Sequence, residues 1–268
     1  MLDQVASIFD VTVAQLELFF LVLIRLSGLI FLLPIFKNSN VSSRLKVGFA
    51  FVFALLVFPG IKDTALPYTP EVGHLVLMVV KELMIGILMG FAGGLLFVFI
   101  DLGGEVMNRN IGLSMMPMMN PETGESSTPL TQFIYFLFII IFMLQNHHFF
   151  FVQIIHDSFR YIPVSGFELQ SGKVAEVLTY LVSEALVTGM RLAAPILVTT
   201  LLALLGMAFM SRAMPNMNVW MMSVPVKIYV GTMTLIFVLP AMYKLLDSYF
   251  SLLQYNMYVL LKLGGGHG

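Results

Sequence analysis

The sequence contains no cysteine and a single tryptophan, and only 11% of its residues are charged. Without cysteine, the chain has no disulfides, no thiolate metal ligands and no cysteine nucleophile. The few charges nearly cancel, and a formal net charge of -1 is not the basic excess typical of nucleic-acid-binding proteins. So little charge is also incompatible with an ordinary soluble domain.

Recognisable catalytic motifs are missing as well. The sequence has no GxSxG, HExxH, Walker A or GxGxxG pattern, and its acidic residues are spread among apolar segments instead of forming an acid–base pair. We therefore expect a protein that is not an enzyme and that holds no catalytic group, metal or cofactor.

Hydrophobic residues are abundant, at 59% of the chain, and the mean hydropathy is +0.93. Because a membrane-crossing helix needs about 20 apolar residues, 268 residues accommodate about five or six such helices. We expect an all-α, polytopic membrane-type protein. The predicted apolar segments cover residues 11–36, 41–58, 72–100, 129 to beyond 151, 174–209 and 226–263.

Among the charged residues inside these apolar segments, three are candidates for buried charges: Arg25, Glu184 and Arg191. A charge facing lipid is costly, so we expect all three to be buried against protein. Arg25 favours a structural ion pair over a transport role. Glu184, Thr188 and Arg191 share a helix face, which makes a carboxylate–guanidinium interaction over two turns possible.

The third segment carries a repeat of period four, in which Glu82, Gly86, Gly90 and Gly94 form one stripe along a helix. Glycines in this pattern let another backbone approach closely, as in contacts between membrane helices. The stripe predicts packing against a protein neighbour, and the sequence leaves open whether this is the same chain or another subunit.

The most unusual stretch is the methionine loop, residues 103–125, which is predicted between two apolar segments where a solvated loop is normal. Met115, Met116, Met118 and Met119 make it apolar and able to repack. Gly103 and Gly104 precede them and are candidate hinges. We hypothesise that this loop closes an opening.

A polar step, Gln145 to His148, interrupts the fourth segment. Paired histidines suggest a metal site or a proton relay. Cysteine, aspartate and glutamate are missing nearby, so an interfacial or subunit-facing polar belt is the favoured interpretation.

Several motifs together resemble a known family. GLSMMPMMNPETG is followed by STPL, a long apolar helix, NHH and HDSFRYIP, and later by RLAAPILVTTLLALLGMAFMSRAMPNMNV and SVPVK. With the N-terminal pattern of Arg25, Pro34 and Phe36, this order is similar to the FliR family of flagellar export-gate proteins and its virulence type III secretion counterparts. The resemblance covers nearly the whole chain.

The resemblance implies a hetero-oligomeric, helically arranged export gate in the bacterial inner membrane, at the flagellar basal body. FliP, FliQ, FlhB and unfolded flagellar export substrates are the implied partners. It also implies FliP-like hairpins over residues 1–175 and a FliQ-like C-terminal hairpin over 176–268. The charges in apolar helices would then face subunits instead of lipid.

In this family a loop plugs the central channel. The matching residues, here called the plug segment, are Gly112, Leu113, Ser114, Met115, Met116, Pro117, Met118 and Met119. Relatives tend to continue the Gly-Leu-Ser triplet with phenylalanine and small residues, whereas methionine dominates here and Pro117 stands within the run. A cluster of thioethers still excludes water, so we expect plugging to survive the change.

Three alternatives remain open at this stage. In the first, the chain belongs to a virulence injectisome instead of a flagellum. In the second, MMPMM is a soft-ligand site of a copper transporter. In the third alternative, the chain is a structural scaffold whose methionine loop packs against a partner.

Overall fold

The computed structural model describes residues 2–33, 42–61, 72–112, 118–119, 126–127, 129–164, 166–167, 171–214 and 219–265. Its architecture is all-α, as expected, with a two-residue β ladder between two of the helices. The helices are α1 Leu2–Leu32, α2 Ser43–Val57, α3 Val72–Ile111, α4 Pro129–Leu144, α5 His147–Tyr161, α6 Ser171–Ala213 and α7 Val219–Gly264. The ladder pairs β1, Met118–Met119, with β2, Ser126–Ser127.

Local sequence explains several helix ends. The hydroxyl of Ser42 accepts a hydrogen bond from the backbone N–H of Leu45 and caps α2. A 3-10 turn at Phe58–Gly60, with Pro59 in its first turn, follows the last residue of α2. Asn146, with φ at 59°, separates α4 from α5 within the predicted polar step.

Five of the described helices are long and apolar enough to cross a membrane, or six if the broken pair α4 and α5 counts as one span. The five candidate spans are Val13–Leu32, Ser43–Gly60, Gly73–Ile111, Gly172–Ala213 and Met221–Gly264. The predicted polytopic, membrane-type organisation is therefore confirmed. Helix α3 has 40 residues and is roughly 60 Å long, about twice the hydrocarbon thickness of a bilayer.

The chain divides into two compact units. The first comprises Met1–Gly94, His148–Tyr180 and Leu253–Gly268, and the second comprises Leu95–His147 and Leu181–Leu252. Their boundaries fall inside α3, α5, α6 and α7. The predicted division between residues 175 and 176 describes likeness to other subunits, so it differs from the division into these two compact units. It stays a prediction.

In the first unit, the glycine stripe of α3 packs against α1 of the same chain. A Cβ built on Gly86 would overlap the carbonyl oxygen of Arg25, and one on Gly90 would lie 2.8 Å from the carbonyl oxygen of Leu29. The neighbour of these two glycines is therefore α1 of the same chain, one of the two neighbours that the sequence left open, and not another subunit. The other two stripe positions, Glu82 and Gly94, are buried within this chain as well.

The core of the second unit is rich in aromatic rings. Phe97 of α3 meets Phe138 of α4 edge-on at a centroid distance of 5.4 Å, and Phe138 in turn stacks on Phe142 at 6.0 Å. Phe250 of α7 closes the group, with its ring 6.1 Å from Phe142. Such pairs add about 0.5–1.5 kcal/mol each beyond their buried area, so α3, α4 and α7 are firmly joined.

Replacing Gly86 with alanine tests the close approach of α1 and α3. The new methyl group meets a backbone oxygen that cannot rotate away, so α1 has to move, and we expect a cost of about 1–3 kcal/mol or more. The thermal midpoint of the purified protein in detergent should fall.

Gly48→Ala is the matched control, because a Cβ at Gly48 of α2 meets no atom within 4 Å. Alanine is the better helix former, so the midpoint of this variant should stay unchanged or rise. Equal midpoints for the two variants would show that the α1–α3 approach is not as tight as described.

Candidate functional site

The plug segment begins where α3 ends. Gly112 has φ at +89°, a left-handed conformation that favours glycine, and its N–H donates to the carbonyl oxygen of Asn108 at 3.1 Å. The chain leaves the helix at this residue and enters α4 at Pro129. Residues 113–117, which are most of the predicted plug residues, lie outside the described part of the chain.

The ladder shows that the loop turns back on itself. Met118 pairs with Ser127 and Met119 with Ser126 in antiparallel register. Two residues of the plug segment are thus held beside the strand that leads into α4. The sequence did not predict this pairing, because a run of methionines carries no alternating pattern of the kind that indicates a strand.

Gly103 and Gly104 are not hinges of this loop. Both lie inside α3, eight and seven residues before its last residue, Ile111. A Cβ on Gly103 would lie 2.9 Å from the carbonyl oxygen of Gly189 on α6, and one on Gly104 would lie 3.1 Å from the methyl of Thr131 on α4. The two glycines permit close helix packing, so the sequence interpretation as flexible positions was wrong.

Both ends of the loop are fastened by contacts within the second unit. Ile111 packs against Gly231 of α7, where an added Cβ would lie 2.5 Å from the isoleucine side chain. A Cβ on Gly112 would be 3.9 Å from Val224, also on α7. Together with the contact of Gly104 and Thr131, these contacts hold the start of the loop on a packed helix group.

Asn108 is a buried residue that sequence reasoning missed. Its side chain is fully buried one turn before Gly112, and neither its amide nitrogen nor its amide oxygen has a hydrogen-bond partner in the described part of the chain. The sequence did carry a signal for Asn108, namely a polar asparagine near the end of an apolar helix.

Arg25 lies at the centre of the first unit and is 2% exposed. Its guanidinium donates from Nε to Oε2 of Glu82 at 2.5 Å and from Nη2 to Oε1 at 3.0 Å, a two-pronged ion pair. Nη1 and Nη2 also donate to the carbonyl oxygen of Ile162, each at 3.1 Å. The carboxylate and this carbonyl therefore receive most of the donor capacity of a fully buried cation.

Two further contacts complete the Arg25 cluster. Nη1 donates to the hydroxyl of Ser158 at 3.3 Å, and that hydroxyl donates to the carbonyl oxygen of Ile155 at 2.7 Å. The guanidinium carbon lies 4.0 Å from the centroid of the Phe159 ring. One side chain of α1 thus joins α3 and α5, and the sequence indicated the buried charge but not these partners.

The other two predicted buried charges lie differently. Glu184 is half-buried and Arg191 is exposed within this chain, and no ion pair between them occurs among the described residues. The buried side of α6 runs through Leu192, Ala193 and Ile196, and one residue turns a helix by about 100°, so Arg191 points outward. Burial of Arg191 is therefore not provided by this chain.

The polar step between α4 and α5 contains no cluster able to hold a metal, since no group of three or more His, Cys, Asp or Glu with that geometry occurs in the described part. His147 stacks on Phe250 with the ring centroids 3.6 Å apart. This histidine is used, at least in part, for packing.

Substitutions at the Arg25 cluster should separate the ion pair from simple burial. Arg25→Met leaves the Glu82 carboxylate buried without the guanidinium, and we expect a loss of about 3–5 kcal/mol, seen as a lower thermal midpoint. Arg25→Lys keeps the charge but not the two-pronged geometry, and should lose part of this amount.

The double variant Arg25→Met with Glu82→Leu removes both charges and is the informative comparison. It should be more stable than Arg25→Met alone, because no unpaired charge remains buried. The single variant Glu82→Leu completes the comparison. If the stability losses of Arg25→Met and Glu82→Leu add up to the loss in the double variant, the two side chains are not energetically coupled.

Comparison with known proteins identifies the family of this chain. The family model described as "Bacterial export proteins, family 1" matches residues 16–253. The flagellar biosynthetic protein FliR of Bacillus subtilis (strain 168) is 28% identical over 250 residues, which cover 92% of this chain and 95% of the relative. The protein of that name from Escherichia coli (strain K12) is 24% identical over 236 residues, covering 88% and 89%.

A relative outside the flagellar proteins is the surface presentation of antigens protein SpaR of Shigella sonnei. It is 25% identical over 210 residues, which cover 77% of this chain and 78% of the relative. The family match spans far more than half of the sequence, so this chain belongs to the bacterial export proteins, family 1.

Proposed function

We propose that this chain is a core subunit of the flagellar type III export gate in the bacterial inner membrane. With FliP and FliQ it forms the channel for unfolded export substrates, and its plug segment, Gly112–Met119, keeps the channel closed at rest. FlhB is a further proposed partner at the flagellar basal body.

The observation that carries the plug is the way the loop is held. Its first residue, Gly112, takes up a left-handed turn at the end of a helix that packs tightly on α4, α6 and α7. The ladder at Met118 and Met119 then draws the segment back toward Pro129. A loop fixed at both ends returns to the same place after displacement, as a reversible closure requires.

The composition of the plug segment suits the same role. Four of its eight residues are methionines, whose unbranched, polarizable side chains fill irregular gaps. An apolar constriction blocks ions by excluding water from a narrow pore. Flexible thioethers also repack around a passing chain of varied sequence, which a rigid aromatic seal does less readily.

Partners are supported by the apolar surface that the isolated chain leaves open. On α7, Phe237 is 81% exposed, and neighbouring Ile236 is exposed too. On α6, Leu201, Leu205 and Phe209 are exposed along the helix. Apolar areas of this extent indicate contact with lipid or with other apolar subunits.

The flagellar assignment is favoured over the injectisome by the relatives. The Bacillus subtilis flagellar protein matches at higher identity and over more of its length than the Shigella protein does. This comparison supports the flagellar proposal through similarity alone.

Leakage of the resting gate tests the plug. Replacing Met115, Met116, Met118 and Met119 with serine should let water and small ions enter, because hydroxyl groups hydrate the constriction. The quadruple leucine variant is the matched control, since leucine keeps the volume and the apolar character. Ion flux across membranes that contain the assembled complex should rise in the serine variant and not in the leucine variant.

Assembly is checked on the same variants. Each should co-purify with FliP and FliQ in the yield of the unaltered chain, so that a leak cannot be attributed to a broken complex. An assembled serine variant that is as ion-tight as the leucine variant rules out the plug. An unaltered chain that does not co-purify with FliP and FliQ rules out the proposed partners.

A further inference from the structure

The last three turns of α3 carry a charged stripe formed by Asp101, Glu105 and Arg109. The residues are four positions apart, so they fall along one side of the helix over about 12 Å. Asp101 and Arg109 are exposed, and Glu105 is partly so. Sequence reasoning missed the stripe because these residues were taken as part of a loop.

Two members of the stripe bind each other. Nε of Arg109 donates to Oε1 of Glu105 at 2.8 Å, and the side chains are 72% and 41% exposed. The pair does not bury its charges, so both groups still need water or polar neighbours. Asp101 leaves the stripe with one more negative than positive charge.

The remaining sides of this part of α3 are occupied by the second unit. Gly103 packs on Gly189 of α6, Gly104 on Thr131 of α4, and Ile111 on Gly231 of α7. Glu105 and Arg109 therefore lie on the side that these contacts leave open, whereas Asp101 borders α4, where its charge acts on Tyr135. Whatever else borders Glu105 and Arg109 lies outside this packed group.

Lipid is a poor neighbour for the stripe. A charged side chain inside the hydrocarbon costs about 2.5–3.5 kcal/mol even on the most lenient scale, and the stripe has three. Other exposed surface of this unit is of the opposite kind, since Ile140 on α4 and Phe237 on α7 are exposed and apolar. The same group of helices thus has one polar side and other sides suited to lipid or apolar subunits.

The stripe is also close to the plug segment along the chain. Arg109 is three residues before Gly112, about 4.5 Å along the helix axis. If the plug segment closes a pore, the free side of the helix that carries it is beside that pore.

We propose that Asp101, Glu105 and Arg109 line the water-filled passage next to the plug segment, and that unfolded substrate polypeptide slides past them. The inference rests on the proposed function of the plug. A wall with charges of both signs keeps a layer of water and offers little apolar surface, so it does not retain the apolar side chains of an unfolded chain.

Single cysteines test the stripe directly, because the natural chain has none. Asp101→Cys, Glu105→Cys and Arg109→Cys are each assembled with their partners in membranes and treated with a charged, membrane-impermeant thiol reagent. Phe237→Cys is the control, an exposed apolar position on α7 in the same unit. A substrate fused to a folded domain that cannot pass is used to fill the channel.

Cysteines in the stripe should react about tenfold or more faster than Cys at position 237, because thiols in apolar surroundings stay protonated and the thiolate is the reactive form. The stalled substrate should protect them and leave the control unchanged. Absent reaction, or reaction as fast at position 237, overturns the proposal. Reaction without protection by the stalled substrate also overturns it, since the stripe then faces solvent outside the channel.

The outcome is separable from that of the plug. If the serine variant of the plug segment does not leak but the stripe cysteines are protected by substrate, the passage is lined as proposed and the closure is formed by other residues. If the serine variant leaks and the stripe cysteines are unreactive, the plug stands and the lining is wrong.

Discussion

The ion pair of Arg25 and Glu82 is the constraint on which the first unit depends. A guanidinium inside an apolar helix is unstable unless its donors are met, and here the donors reach a carboxylate on α3 and a backbone carbonyl at Ile162. The close approach of α1 and α3 at Gly86 brings the two backbones together beside the pair. The buried ion pair and the small residues therefore act together to hold α1 against α3.

The second unit combines small residues with aromatic rings where its helices flank the loop. Small residues at Gly103, Gly104 and Gly231 bring α3 against α6, α4 and α7, and aromatic rings fill the space between α3, α4 and α7. The proposed plug needs a fixed base, because only then does movement of the loop leave the surrounding helices in place. The packed end of α3 provides this base up to Gly112.

The sequence was a good guide to the helices and a poorer one to their contacts. Apolar runs identified the α-helical class and the membrane-type organisation, and the period of Glu82, Gly86 and Gly90 identified a packing face. Glycine itself is ambiguous, since the same residue type permits a hinge or a close helix contact, and so Gly103 and Gly104 were misassigned. The partners of Arg25 were not predictable, because Glu82 and Ile162 lie 57 and 137 residues away along the chain.

The central claim is that the plug segment lies in the path of the exported chain. A single cysteine at Met116 in this cysteine-free protein, assembled with its partners, can be cross-linked to a cysteine in a stalled export substrate. The account predicts an adduct at position 116 and none at Phe237, an exposed apolar position on α7. Absence of the adduct at position 116 from a complex that holds the stalled substrate would contradict it.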